Sequence, residues 1–444
     1  MSPWQRRSLR WSLSLALLGL PVFLQAAAPA RPEEVRLSTE VLHLDNGMAV
    51  LLVDRPAAGF VAAGWVVRVG SGDDPVGQTG VSHLLEHMLY KGTSTIGTSD
   101  PDEYDRIYGA AGATAINAFT TVDLTAYFLS VPANRLELWF WMESDRLLDP
   151  VFRGLPTELQ VIAEERRRSE AAPTSPFAPQ FGALFWQEHP YRWSRLGWPA
   201  DVEALTTEDA LRHFHTWYVP GNLTAVLVGR FDHAQVKELA RRYFGRLPAA
   251  PAPVRRTAPG PDQKAETRML AACDCQPQIE LRYHTVPFLG KDAAALDVLA
   301  GVVNSRLQGW IAGAGVASEA TAEQSSLVRA GSFAVRAKVA KPEIAPEQLE
   351  QGWYDLLRRL QEEPVPSTEL DLVEDRLITD ALRRLEDPFY LMVQLLMNAG
   401  LGDWRALEEQ PRRLRAVTAA DLQRVAQTWF SPENRTVALY RRKS

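Results

Sequence analysis

Residues 204–224, ALTTEDALRHFHTWYVPGNLT, and residues 416–436, AVTAADLQRVAQTWFSPENRT, are one passage written twice. At a constant offset of 212, Ala204, Thr206, Asp209, Thr216, Trp217, Pro220, Asn222 and Thr224 meet Ala416, Thr418, Asp421, Thr428, Trp429, Pro432, Asn434 and Thr436. Leu211 is matched by Leu422 one place displaced, and Tyr218 stands opposite Phe430. Such a repeat leaves few architectures open, because one domain must serve twice. Each copy closes in the same way: Thr206 or Thr418 caps a helix that runs to the Trp, a Pro and Asn turn follows, and a strand begins, TAVLVGRF or TVALY.

The length agrees, since 444 residues exceed one ordinary core. Residues 246–265, rich in Pro and Ala, read as a linker between a first domain, 29–245, and a second, 266–444. Ahead of them, Arg6, Arg7 and Arg10, an apolar run from Leu13 to Leu24 and the small residues Ala26 to Ala28 form an export signal over residues 1–28. An uncleaved anchor is the plain alternative, although the run is short for a membrane span. Cleavage removes three Arg and no acids, taking the formal charge from -6 to -6 - 3 = -9. The expectation is a periplasmic protein of bacterial type with no stable membrane span after cleavage. Without a long basic run, no nucleic-acid partner is expected. Cys273 and Cys275, the only cysteines, either close a small ring or stay as thiols, and take no catalytic role.

The chemistry concentrates in VSHLLEHMLYKG, residues 81–92. Val81, Leu84, Leu85, Met88 and Leu89 recur at helical period and form one apolar stripe. His83, Glu86, His87 and Tyr90 fall on the other side, and Gly92 offers a helix end. His83 and His87 are stacked neighbours one turn apart, so both imidazoles reach one ion while Glu86 sits beside them. His-x-x-Glu-His reverses the order of the common His-Glu-x-x-His zinc helix. A catalytic site needs one more protein ligand than this stretch supplies. The second copy keeps the apolar pattern near AALDVLAGVVNSRL but carries neither the His nor the Glu, so only the first copy holds the chemistry.

A second helix is expected in LPTELQVIAEERRRSE, residues 155–170, with Pro156 in its first turn. Glu158 and Glu165 share one face two turns apart, with Glu164 adjoining. Taken alone, that helix reads as a solvated face of Glu paired with Arg.

Together, VGSGDDPVGQTGVSHLLEHMLYKGT, ELQVIAEERR, the HPY at His189 to Tyr191 and the repeated WYVPGN resemble the pitrilysin/insulysin family of zinc peptidases, in the mitochondrial-processing-peptidase-like subfamily. The resemblance runs through nearly the whole mature chain. It implies an α+β fold of two similar domains from an internal duplication, each a mostly antiparallel sheet with helices packed on one face. It implies Glu165 as the third ligand of Zn2+, with Glu158 supporting the site and Glu164 as the alternative ligand. His83, His87 and Glu165 then leave one coordination position for water, with Glu86 as the general base of peptide hydrolysis. Zinc is the default for two His and one carboxylate, ahead of manganese or cobalt.

Residues 114–131 alternate like two strands around Val122 and Asp123. The resemblance makes the first of them an edge strand on which Asn117, Ala118 and Phe119 bind a peptide substrate; a covered internal strand pair is the plain reading. One departure stands out. Where active single-chain relatives carry an Arg and, seven residues on, a Tyr, this chain places Ala312 and Glu319. The resemblance then implies a heterodimer with a metal-free sister subunit that supplies that pair. The competing function is a non-catalytic assembly or peptide-binding subunit of the same fold, and a metal-binding chaperone-like protein is a third.

Overall fold

The computed structural model describes residues 36–443 apart from 99, 101, 259, 261 and 262, so the export signal expected in residues 1–28 lies outside the described residues. The first half contributes β1 (Glu40–His43), β2 (Ala49–Asp54), β3 (Phe60–Val67), β4 (Thr114–Thr120), β5 (Thr125–Pro132) and β6 (Leu223–Gly229). They form one sheet in the order β1-β2-β6-β3-β5-β4. The second half contributes β7 (Thr267–Cys273), β8 (Gln278–Thr285), β9 (Ala317–Ser326), β10 (Gly331–Val339) and β11 (Arg435–Arg442), in the order β7-β11-β8-β10-β9. Without β1 the two orders are the same path. In each half the last strand inserts parallel to the first, as β6 does beside β2 and β11 beside β7, while the remaining neighbours are antiparallel. The two-domain α+β reading therefore holds.

The repeated passage is the hinge of this topology. Thr206 and Asp209 form a reciprocal capping box at the start of the helix Thr207–Trp217, and Thr418 and Asp421 do so for the helix Ala419–Trp429. Each helix ends at its Trp, and an Asn closes it. Asn222 Nδ2 donates to the Trp217 carbonyl at 3.0 Å and to the Arg68 carbonyl at 3.3 Å. Asn434 Nδ2 donates to the Trp429 carbonyl at 2.6 Å and to the His284 carbonyl at 2.9 Å. Terminal helix carbonyls lack intrahelical donors, so one amide both satisfies a helix end and ties it to the sheet.

Within each half the strands' two-residue period sends one set of side chains toward that half's own helices. On β8 these are Ile279, Leu281 and Tyr283, packed among Leu299, Val303, Trp353 and Phe430. The opposite faces are closed by exchange. The helix Pro388–Leu401 of the second half lies on the first sheet, where Leu391, Leu395 and Leu396 join Ala62, Val66, Val226 and Val228 in one core. Gly64 permits that approach, since a Cβ there would stand 2.8 Å from Leu396 Cδ1. Reciprocally, the helix Ala178–Trp186 of the first half places Phe181 against Ala271, Cys273, Ala438 and Tyr440 of the second sheet. The two exchanged helices are themselves repeat partners, because 178 + 212 = 390 falls inside Pro388–Leu401.

A buried ion cluster joins the halves as well. Arg329, in the turn between β9 and β10, pairs with Asp73 and lies 3.5 Å from Asp123. Tyr191, from the HPY stretch, donates its hydroxyl to Asp123 Oδ1 at 2.6 Å and accepts from the Arg329 amide at 3.0 Å. Arg255 stands 3.6 Å from Asp73, which anchors the Pro-rich connecting segment to the same cluster. Cys273 and Cys275 form a disulfide at the end of β7. Among the described residues no helix is long and apolar enough to cross a membrane.

Candidate metal centre

The helix carrying His83 and His87 spans Val81–Met88, and all eight of its residues are buried. Its start is built by a neighbour. Gly80, at φ 94°, turns the chain into the helix, and the buried Asp74 accepts from the Gly80 amide at 2.7 Å and from the Ser82 amide at 3.1 Å. A side chain with two acceptor oxygens suits that place, facing open N–H groups, and burial raises the Asp74 pKa to about 8 against the pull of those hydrogen bonds. Ser82 also lies 3.0 Å from His213 Nε2, but Asp74 and His213 both reach Ser82 rather than each other. The Asp-His-Ser order of a nucleophilic triad is therefore absent. The helix closes at Leu89, short of Gly92, which at φ 90° ends the turn that follows. Beneath this turn the Arg146 guanidinium pairs with Glu143 at 2.7 Å and lies over Trp65, Tyr90, Tyr104 and Tyr127, 4.5–5.7 Å from their ring centroids.

The acidic helix is Leu155–Ser169, with proline in its first turn. Glu165 and Glu158 turn toward the histidines. Glu165 Oε2 lies 3.5 Å from His83 Nε2 and 3.7 Å from His87 Nε2, and the three side chains offer ligand atoms all within 4.8 Å of one another. Two imidazole nitrogens and a carboxylate oxygen are donors that zinc takes, and the 3.5 and 3.7 Å from Glu165 to the two rings lie near the roughly 3.3–3.4 Å that separates neighbouring donors bonded at about 2.0–2.1 Å in a tetrahedral array. Glu158 lies behind this set. Its Oε2 is 3.3 Å from His87 Nδ1 and its Oε1 is 2.5 Å from Lys91 Nζ, which leaves His87 Nε2 to face the centre. Glu164, one residue out of phase, is exposed and bonds Arg167 and Arg168 instead.

Electrostatics follow the geometry. Burial would lower the His87 pKa, but hydrogen bonds to Glu158 and Glu165 carry it up to about 9, so without an ion the carboxylates hold a proton there. His83 is held well below its usual range by burial and by the neighbouring His87 and Arg195 charges. Glu165 is lowered despite its burial, through the hydrogen bond from His87 and the charges of His83 and Arg195. A divalent ion would replace the proton and satisfy the same carboxylate.

Glu86 is buried, its pKa raised by desolvation, and its Oε2 accepts from Thr120 Oγ1 at 2.6 Å. Thr120 ends β4, the strand at one edge of the first sheet, with β5 its one neighbour among the described residues. β4 holds the three residues expected to meet substrate. The Ala118 amide donates to Asn117 Oδ1 at 2.9 Å, and the Phe119 ring packs away from the centre, 5.7 Å from Phe128. Of the pair where a grip was missed, Ala312 sits in the turn Gly309–Gly313, and Glu319 pairs with Lys338 at 2.8 Å on the other sheet.

Sequence reasoning missed Thr120, Lys91 and above all Arg195. Arg195 Nη1 lies 2.8 Å from His83 Nε2 and its Nη2 2.8 Å from Glu165 Oε1. It belongs to an irregular loop, where no periodicity or spacing flags a single basic residue.

Two family models match the chain: one described as insulinase, peptidase family M16, over residues 49–196, and one described as peptidase M16 inactive domain over residues 204–377. The zinc protease PqqE of Helicobacter pylori is 26% identical, with 96% of each chain covered. A crystal structure of a protease from Helicobacter pylori, 25% identical, superposes with a TM-score of 0.83 over 91% of this chain and 99% of that one. The first half of the periplasmic protease PqqL from Escherichia coli, 19% identical, shares the fold with a TM-score of 0.76 over 91% of this chain and 92% of that one.

Proposed function

Because the chain belongs to the insulinase (M16) family of zinc metallopeptidases, we propose that it is a zinc-dependent endopeptidase that hydrolyses unfolded peptides or small proteins. The observation that carries this reading is the donor set of His83, His87 and Glu165, gathered within 4.8 Å beside a buried Glu86. When bound, zinc supplies the Lewis acidity that activates a water and polarises the scissile carbonyl. Glu86 takes the water's proton and passes it to the leaving amine, held for that exchange by Thr120. Glu158 fixes the tautomer and tilt of His87 through Nδ1. The substrate adds as a further strand along β4 at Asn117, Ala118 and Phe119, with Phe119 contributing backbone alone.

The site of action is the periplasm. The export signal expected in residues 1–28 supports that location, as does the likeness to a periplasmic protease. A metal-free sister subunit supplies the Arg and Tyr for which Ala312 and Glu319 stand here, and full activity of the chain alone, as monomer or homodimer, rejects that partner.

Zinc analysis and a peptide-library digest of the wild type and of Glu86→Gln, each with and without the product of a neighbouring sister gene, test the peptidase reading. The Glu86→Gln protein keeps its zinc and loses cleavage by roughly a hundred- to ten-thousandfold. Zinc-loaded wild type that cleaves nothing under either condition overturns the reading in favour of a non-catalytic peptide-binding subunit.

A further inference from the structure

We propose that Arg195 is a built-in competitor of the metal ion, occupying the metal-binding nitrogen of His83 until an ion displaces it. This rests on the zinc reading of the same site. A guanidinium carries five N–H donors and no acceptor, so in the 2.8 Å contact between Arg195 Nη1 and His83 Nε2 the ring nitrogen is the acceptor. That nitrogen has a single in-plane lone pair. It either accepts from Arg195 or binds an ion, and the two states exclude each other.

The second contact of Arg195 has a different fate. It goes to Glu165 Oε1, whereas Oε2 is the oxygen near both histidines. An entering ion therefore needs to break only the bond to His83, and the guanidinium can stay tethered to the far oxygen of the same carboxylate. The loop is arranged for such a swing. Its backbone is clamped to the acidic helix, because Arg166 donates to the carbonyls of Leu196 and Gly197, while the Arg195 side chain is 42% exposed beside a His83 that is 2% exposed. The competitor moves on a fixed hinge. The ligand does not.

The test is titration of the metal-free protein with Zn2+ against a chelating dye, a readout that needs no peptidase activity. Arg195→Met is expected to bind Zn2+ about tenfold tighter or more, the factor associated with releasing one charge-assisted hydrogen bond. Arg195→Gln, which keeps a polar side chain, moves the same way and guards against a folding loss in the first variant. Affinity equal to or weaker than wild type in both variants overturns the inference. His83→Ala in the wild-type and Arg195→Met backgrounds separates the two levels. Loss of binding in both leaves the zinc site standing whatever Arg195 does, whereas binding unaffected by His83→Ala overturns the zinc site and the competitor together.

Discussion

Phe185, on the helix the first half lends to the second, lies flat on His284 of β8, with ring centroids 3.9 Å apart and planes 11° from parallel. Both side chains are buried, so the stack is part of what holds the halves together. Phe185→Ala is expected to destabilise the whole chain by about 3–5 kcal/mol, the usual cost of emptying a core aromatic site. Denaturant unfolding followed by tryptophan fluorescence checks it, and a loss near zero removes the stack from the account of how the halves adhere.

The same histidine makes stability depend on pH. Burial, with the charge of His189 added, pushes His284 down to about 3, and burial with the Arg329 charge pushes His189 down to about 4. Both lie below the ordinary value near 6.5, so under that pH the unfolded chain binds more protons and stability falls as pH falls. Between pH 7 and pH 5 each histidine withdraws up to about 2 kcal/mol. Melts of His284→Leu across that range should slope less than wild type, and identical slopes exclude His284 as a source of the acid sensitivity.

Glu158 touches the proposed metal only through His87. Glu158→Ala is therefore expected to weaken Zn2+ binding by about 10–100-fold while leaving the ligand count unchanged. A dye-competition titration decides it, with unchanged affinity marking Glu158 as a partner of Lys91 alone.

Asn222 and Asn434 make the same bonds in the two halves, so their losses should match. Asn222→Ala and Asn434→Ala are each expected to cost about 1–3 kcal/mol, since each strips donors from two backbone carbonyls. Thermal or urea melts compare them, and an effect confined to one half would mean that the repeat preserves sequence without preserving energetics.

What was legible in the sequence was local and periodic. The helix caps at Thr206 and Thr418, the phase of His83 and His87 on an apolar stripe, and the strand pair around Val122 and Asp123 all follow from spacing, and all stand where spacing put them. The sequence left Glu164 open beside Glu165; in the structure Glu165 returns to the face of Glu158 seven residues earlier, while Glu164 turns to Arg167 and Arg168. The exchange of helices was hidden, because APQFGALFW and PFYLMVQLLMNAGL are apolar whichever sheet they cover. Periodicity says that a face is buried and is silent about what buries it. Arg195 was hidden for a related reason, since its two contacts lie 112 and 30 residues away in the chain.

The crossed helices make this single polypeptide a covalently fused dimer in which twin elements change places, an arrangement otherwise known from swapped oligomers. An unduplicated ancestor could cover its sheet only by pairing with itself. Cutting the present chain in the Pro-rich connection should accordingly give two fragments that dissolve poorly apart and regain a native fold when produced side by side.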